Sequence, residues 1–204
     1  MPPPEPAEKK QKFQDYPLGY LPVDFAEVHT EEGKVYLFVA IDRTSKLAFA
    51  ELQPRATNML AADFLRRVLT AIPYKVHKVL TGNGTPFGNR PHHVYAWRHI
   101  FDRVCAEHGR CTKPAHPWTN GQVERFHRTL KEATVQRYHY QTTAPLNDHL
   151  QAFLRAYNHG KRLKRLGGKT PHEFSCQQWL LHPTIFTRDP THLTRGLYSG
   201  IVPG

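Results

Sequence analysis

The chain is predicted to be an α/β protein, a mixed sheet flanked by helices. Three observations predict this. Val35-Tyr36-Leu37-Phe38-Val39-Ala40-Ile41 is an unbroken apolar run, the mark of a strand covered on both faces. Leu60, Phe64, Val68 and Ile72 recur at i+4, the spacing of a helix with one buried stripe. The order read along the chain is three strands, a helix, a strand, a helix, a weak strand and then helices, which packs as helices laid on a sheet. A length of 204 residues suits one domain, alone or with tails, and suffices to bury a core.

Each element has its own signal. Residues 1–16 are rich in Pro, Glu and Lys and read as a flexible linker. Glu31-Glu32-Gly33-Lys34 is a turn, so the strand holding Asp24 should pair with 35–41 as a hairpin. Residues 45–52 make a third strand. A helix at about 58–72 is capped by Asn58 and closed by Pro73. Residues 76–81 form a short strand running into the turn Gly82-Asn83-Gly84. A second helix at about 94–108 carries the stripe Trp97, Ile100, Phe101, Val104 and Cys105, with Gly109 at C′. Residues 110–115 are a short, poorly apolar strand. A long helix starts near 119–121 and runs to about 137, and another covers about 145–157. Thr170-Pro171-His172-Glu173 has the N-cap, the N1 proline and the N3 glutamate of a helix start. Beyond Pro183 there is no clear periodicity. The chain therefore divides into a linker (1–16), a core (17–180) and a C-terminal tail (181–204).

Composition narrows the partners. Lys and Arg number 28 against 17 Asp and Glu, a surplus that favours a polyanion, for which nucleic acid is the usual case, although a solvated basic surface has the same composition. Three cysteines without a CxxC pair suit a reducing cytoplasm. No apolar run approaches the roughly 20 residues of a membrane helix, and the N-terminus lacks a signal-peptide core. Membrane partners are not expected.

Two carboxylates stand out. Asp24 lies in the apolar segment Leu21-Pro22-Val23-Asp24-Phe25-Ala26, where a charge is costly unless it is paired or metal-bound, or unless it sits at a solvent-facing strand edge. Glu124 lies one turn into a helix. Its i+3, i+4 and i+7 neighbours are His127, Arg128 and Lys131, while Val123, Phe126 and Leu130 form the opposite, core-facing stripe. One acid heading a basic stripe suits a metal ligand beside a phosphate backbone; it also suits a surface helix with i,i+4 ion pairs.

The segments Val39 to Lys46, Leu80-Thr81-Gly82-Asn83-Gly84 and Pro117-Trp118-Thr119-Asn120-Gly121-Gln122-Val123-Glu124-Arg125-Phe126, in that order, resemble the blocks of the DDE-type integrase catalytic core, in particular of retroviral-integrase-like bacterial insertion-sequence transposases. Tyr157-Asn158 followed by Gly167-Gly168-Lys169-Thr170-Pro171 resembles the C-terminal signature of that family. The resemblance spans about residues 19–179. It implies a ribonuclease-H-like fold and a polynucleotidyl transferase acting in DNA integration, recombination and transposition. Two Mg²⁺ or Mn²⁺ ions would clamp the attacking and leaving oxygens. By position, Asp24 would bridge both ions and Glu124 would hold one. Arg125, Arg128, Lys131, Trp118 and Asn120 are the expected DNA contacts, with Trp118 equally suited to anchoring the core. The protein is expected to act on DNA as a homo-oligomer, in a bacterial cytoplasm at the nucleoid.

The chain departs from the family at the second carboxylate, where Gly82 stands in place of aspartate. Asn83 is neutral, and Asp42 belongs to a strand motif that is not a usual ligand. The stretch Arg110-Cys111-Thr112-Lys113 is shorter than in the family, and could displace Glu124. The helix-turn-helix region that recognises element ends has no counterpart ahead of the linker. These departures read as a truncated, decayed or altered copy. The expected function is therefore metal-dependent DNA strand cleavage and transfer, impaired at Gly82. The alternative is a non-catalytic DNA-binding or assembly subunit that modulates an intact transposase. Cys105, His108, Cys111 and His116 have a zinc-like spacing, but Cys105 fits its helix stripe and His108 a helix end. The basic run Lys161-Arg162-Leu163-Lys164-Arg165 suits either phosphate contact or a solvated patch.

Overall fold

A computed structural model describes residues 16–81, 111–114 and 121–192. A five-stranded sheet has the order β3-β2-β1-β4-β5. It is built from β1 (Tyr20–Thr30), β2 (Gly33–Ile41), β3 (Ala48–Gln53), β4 (Lys78–Thr81) and β5 (Cys111–Pro114). The pairs β1–β2 and β2–β3 are antiparallel, while β1–β4 and β4–β5 are parallel. The sheet is thus mixed, as predicted, and the hairpin closes at Thr30↔Gly33. Glycine is needed there, with φ at +125°.

Helices cover both faces. α1 (Asn58–Ala71) packs Phe64, Leu65, Val68 and Leu69 on the face that carries Leu21, Val23, Phe38 and Ala40. α2 (Gly121–Ala133) and α3 (Thr143–His159) cover the other face. There Val123, Phe126, Leu130, Leu150 and Leu154 meet Val28, Leu37, Val39 and Ile41. β2 donates to both clusters, which explains its unbroken apolar run. α4 (Pro171–Leu181) opens with the predicted capping box between Thr170 and Glu173. Past Pro183, Phe186 packs on Tyr74 and Trp179 with ring centroids 5.4 Å away in each case.

Some boundaries move. The N-cap of α1 is Thr57, whose hydroxyl accepts from the Leu60 amide at 3.3 Å, and Asn58 is the first helical residue. α2 stops at Ala133, short of 137, because Thr134 turns its hydroxyl onto the Leu130 carbonyl at 2.6 Å and the Gln136 amide bonds the Lys131 carbonyl instead of continuing the ladder. The third strand begins at Ala48 because residues 42–47 form a turn around Asp42. That carboxylate is fully buried and accepts amides from Gly19, Thr44 and Ser45 at 2.7–2.8 Å. Burial pushes its carboxyl up and the amides oppose the shift. The helix predicted at 94–108 lies outside the described residues.

Candidate active site

β1 runs through the middle of the sheet, between β2 and β4. Asp24 pairs with Val39, a member of the cluster under α2 and α3, so its side chain faces α2. The side chain is 21% exposed. Its pKa is raised to about 6, first because burial penalises the charge and then because the Glu124 carboxylate adds to that field; the Phe25 amide and the Lys131 ammonium pull the other way. The carboxyl that the sequence marks as costly is costly in place.

α2 supplies the other half. Val123, Phe126 and Leu130 are buried against the sheet, which fixes the rotation of the helix. Glu124 then stands exposed in the first turn, within electrostatic reach of Asp24. Lys131, two turns on, donates to the main-chain carbonyl of Glu27 on β1 at 3.2 Å.

His127 departs from the sequence reading, which set it on an exposed basic stripe. It is 6% exposed, because it borders the apolar stripe beside Phe126. Its Nε2 lies 3.9 Å from the Asp24 carboxylate, beyond hydrogen-bond range. The Asp24 main-chain carbonyl bears on the same ring, yet neither ring nitrogen makes a well-formed hydrogen bond among the described residues. Burial and the Lys131 charge push its pKa down to about 4, so the ring is neutral at physiological pH. The available signal was its spacing of i+4 from Val123.

The remaining expected site residues divide by position. Arg125 and Arg128 are exposed on α2. Gly82, Trp118 and Asn120 lie outside the described residues, as do Cys105, His108 and His116. Thr81, the residue before Gly82, pairs with Val23, the residue before Asp24. Asp42 has its oxygens committed to three amides, and is a turn cap rather than a ligand. Asn158, half of the Tyr157-Asn158 signature, is fully buried on α3. Its side-chain amide accepts from the Ala48 amide at 3.0 Å and donates to the Ala48 carbonyl at 2.8 Å, closing the outer edge of β3 in the manner of a neighbouring strand.

Among the described residues, no group of three or more His, Cys, Asp and Glu side chains gathers as a metal cluster. Asp24 and Glu124 are two hard carboxylates, the first half-buried and in the field of the second. Such a pair suits a divalent cation with oxygen preference, which would relieve the repulsion; it supplies fewer ligands than a three-carboxylate site.

Comparison with known proteins bears on this geometry. A family model described as an integrase core domain matches residues 14–117, and a second with the same description matches residues 108–171. The transposase of insertion sequence element IS904 from Lactococcus lactis is 26% identical over 154 residues; the alignment covers 74% of this chain and 58% of that relative. The catalytic core of the HTLV-2 integrase, solved in complex with magnesium, aligns with a TM-score of 0.56 at 16% identity, covering 76% of this chain and 94% of the other. The catalytic core of BIV integrase aligns with a TM-score of 0.55 at 22% identity, covering 80% and 98%. At these identities the two solved structures establish the ribonuclease-H-like fold.

Proposed function

Because the chain belongs to the integrase core domain family, we propose that it is the catalytic core of a DDE-type transposase that binds DNA and a divalent cation but cleaves and joins strands poorly. The observation that carries this reading is the half-buried carboxylate of Asp24, held in the field of Glu124. Asp24 and Glu124 are the residues that would hold Mg²⁺ or Mn²⁺. A bound ion would supply charge neutralisation and an activated attacking oxygen.

The chain's own residues supply the rest. The β1 register aims Asp24 at α2. The apolar stripe of α2 holds Glu124 at the mouth of the gap. Lys131 straps α2 to β1 through the Glu27 carbonyl, within reach of a phosphate lying over the acids. Arg128, exposed on the same helix, extends that basic edge. Neutral His127 fills the space behind Asp24 without adding charge.

Gly82 supports the impaired state, since glycine offers no side-chain oxygen at the position of the second carboxylate. It equally favours a second reading, in which the protein binds DNA and modulates an intact transposase without chemistry of its own. The unit concerned is residues 17–180, acting on DNA as a homo-oligomer at the bacterial nucleoid. No helix among the described residues is long and apolar enough to cross a membrane.

The test is incubation with labelled DNA ends and Mn²⁺. Salt-sensitive DNA binding with few or no nicked or joined products is expected, and Gly82→Asp should raise product formation. Vigorous strand transfer by the unaltered chain would sink the impairment. Absence of DNA binding would sink the reading as a whole.

A further inference from the structure

Glu124 has to be held beside a group that repels it. It is exposed in the first turn of α2, and among the described residues its carboxylate makes no hydrogen bond or ion pair. Its effect on Asp24 is that of one negative charge on another. Electrostatics alone would move the two acids apart. The buried residues Val123, Phe126 and Leu130 set the rotation of the helix, and Lys131 ties its second half to β1. Apolar burial is non-directional, so it resists sliding of the first turn less sharply than a hydrogen bond does.

Gln122 supplies the directed contact. It lies two residues ahead of Glu124, and its side-chain amide spans to the turn after β2. Nε2 donates to the Asp42 carbonyl at 3.1 Å, and Oε1 accepts from Lys46 Nζ at 3.0 Å. The turn is itself firmly built. The Asp42 carboxylate is fully buried on three amides, and the Asp42 carbonyl also takes the Lys46 amide at 3.1 Å. Asp42 follows Ile41, the last residue of β2, and β2 carries Val39, the ladder partner of Asp24. One strand is thus the reference for both acids, through the ladder for Asp24 and through Gln122 for Glu124.

Lys46 shows that this contact is kept at a cost. Its φ is +63°, a left-handed conformation that any residue with a Cβ adopts against its preference. Burial, then Arg165, pushes its ammonium down to about 8. Nζ also donates to the Arg43 carbonyl, which holds it over Gln122. Backbone strain of this kind gathers at functional sites, where the surrounding structure over-determines it.

We infer that Gln122, braced by Lys46, is a positioning residue that holds the Glu124 carboxylate beside that of Asp24, against their repulsion, ready for a divalent cation. The inference rests on the reading of Asp24 and Glu124 as the residues that would hold that cation, and adds what keeps them together.

The test is titration of the full chain with Mn²⁺ in the absence of DNA, following free Mn²⁺ by electron paramagnetic resonance. Each protein is measured well below its thermal midpoint, so that lost stability does not register as lost binding. Gln122→Met keeps the length and the charge and removes both hydrogen bonds; it should bind Mn²⁺ at least threefold more weakly. Lys46→Gly relieves the left-handed strain and deletes one positive charge. On Coulomb grounds that deletion favours a cation, so binding at least threefold weaker is the opposite sign and the mark of lost positioning. Variants that bind within threefold of the unaltered chain, or more tightly, would overturn the inference and leave the carboxylate pair standing. An unaltered chain that binds no Mn²⁺ would sink the carboxylate pair itself and the inference with it, so the parent protein tells the two failures apart.

Discussion

Replacing Asp24 with Asn should stabilise the protein while removing its response to divalent cations. The folded carboxyl titrates at about 6 against 3.8 for the ordinary group. Between those values the folded state holds the proton more tightly than the unfolded state, so stability falls as pH rises through the window, and the full penalty applies above it. The difference corresponds to ~3 kcal/mol. Asparagine keeps the shape and carries no charge, so Asp24→Asn should be more stable by that order above the window and indistinguishable from the parent below it. For a folded unit of this size, the gain is a rise in Tm of roughly 6–12 °C. The assay is thermal and urea denaturation across pH, each with and without Mg²⁺. The unaltered chain should gain stability with Mg²⁺, and the variant should not. A variant no more stable than its parent above the window would mean that Asp24 is not held at a cost.

Three further outcomes are expected. Asn158→Ala leaves the Ala48 amide and carbonyl without their side-chain partners and should cost ~2–6 kcal/mol in urea denaturation, at ~1–3 per orphaned group. Gly19→Ala must fit a Cβ 2.2 Å from the Lys75 carbonyl oxygen at φ +86°, so a loss of ~2 kcal/mol or more is expected, measured as a fall in the urea midpoint. His127, with its pKa lowered from 6.5 to about 4, should make the fold acid-labile. Its contribution is complete above 6.5 and lost as pH falls toward 4. In the Asp24→Asn background, where the opposing limb is gone, His127→Gln should flatten that acid limb of the urea midpoint.

Much of this molecule was readable because one physical signal dominated each element. The unbroken run at 35–41 could only be a strand covered twice, and β2 feeds both cores. Thr170, Pro171 and Glu173 state a helix start through local hydrogen bonds alone, and the capping box is present. Asp24 reads as a charge in apolar company and is half-buried at a raised pKa. Tertiary position decided the rest. His127 and Arg128 are neighbours that both read as basic, yet one is buried and the other exposed, since the rotation of α2 is set by three apolar contacts with the sheet. The Tyr157-Asn158 signature was visible without its role, because the edge strand that Asn158 closes lies 110 residues earlier. The cavity lined by Arg43, Lys46, Arg125, Lys161 and Arg165 draws on three stretches of chain, around 43–46, 121–129 and 161–166, and only the last reads as a basic run in the sequence.

The rotation of α2 has a consequence for how binding and chemistry are partitioned. Successive residues on a helix turn by ~100°. Glu124 and Arg125 therefore serve different sides of one rod, Glu124 turned to Asp24 and Arg125 to the cavity, with Phe126 seated in the core. The acid side depends on a ligand set that the sequence leaves short at position 82, whereas the basic side owes nothing to that position. On the proposed reading, a loss at Gly82 removes part of a cation's hold and leaves the charges of the basic side in place. Conversely, neutralising Arg125 spares the field around Asp24, to which only Phe25, Glu124 and Lys131 contribute among the described residues. The two sides are thus separable by single substitutions on adjacent residues.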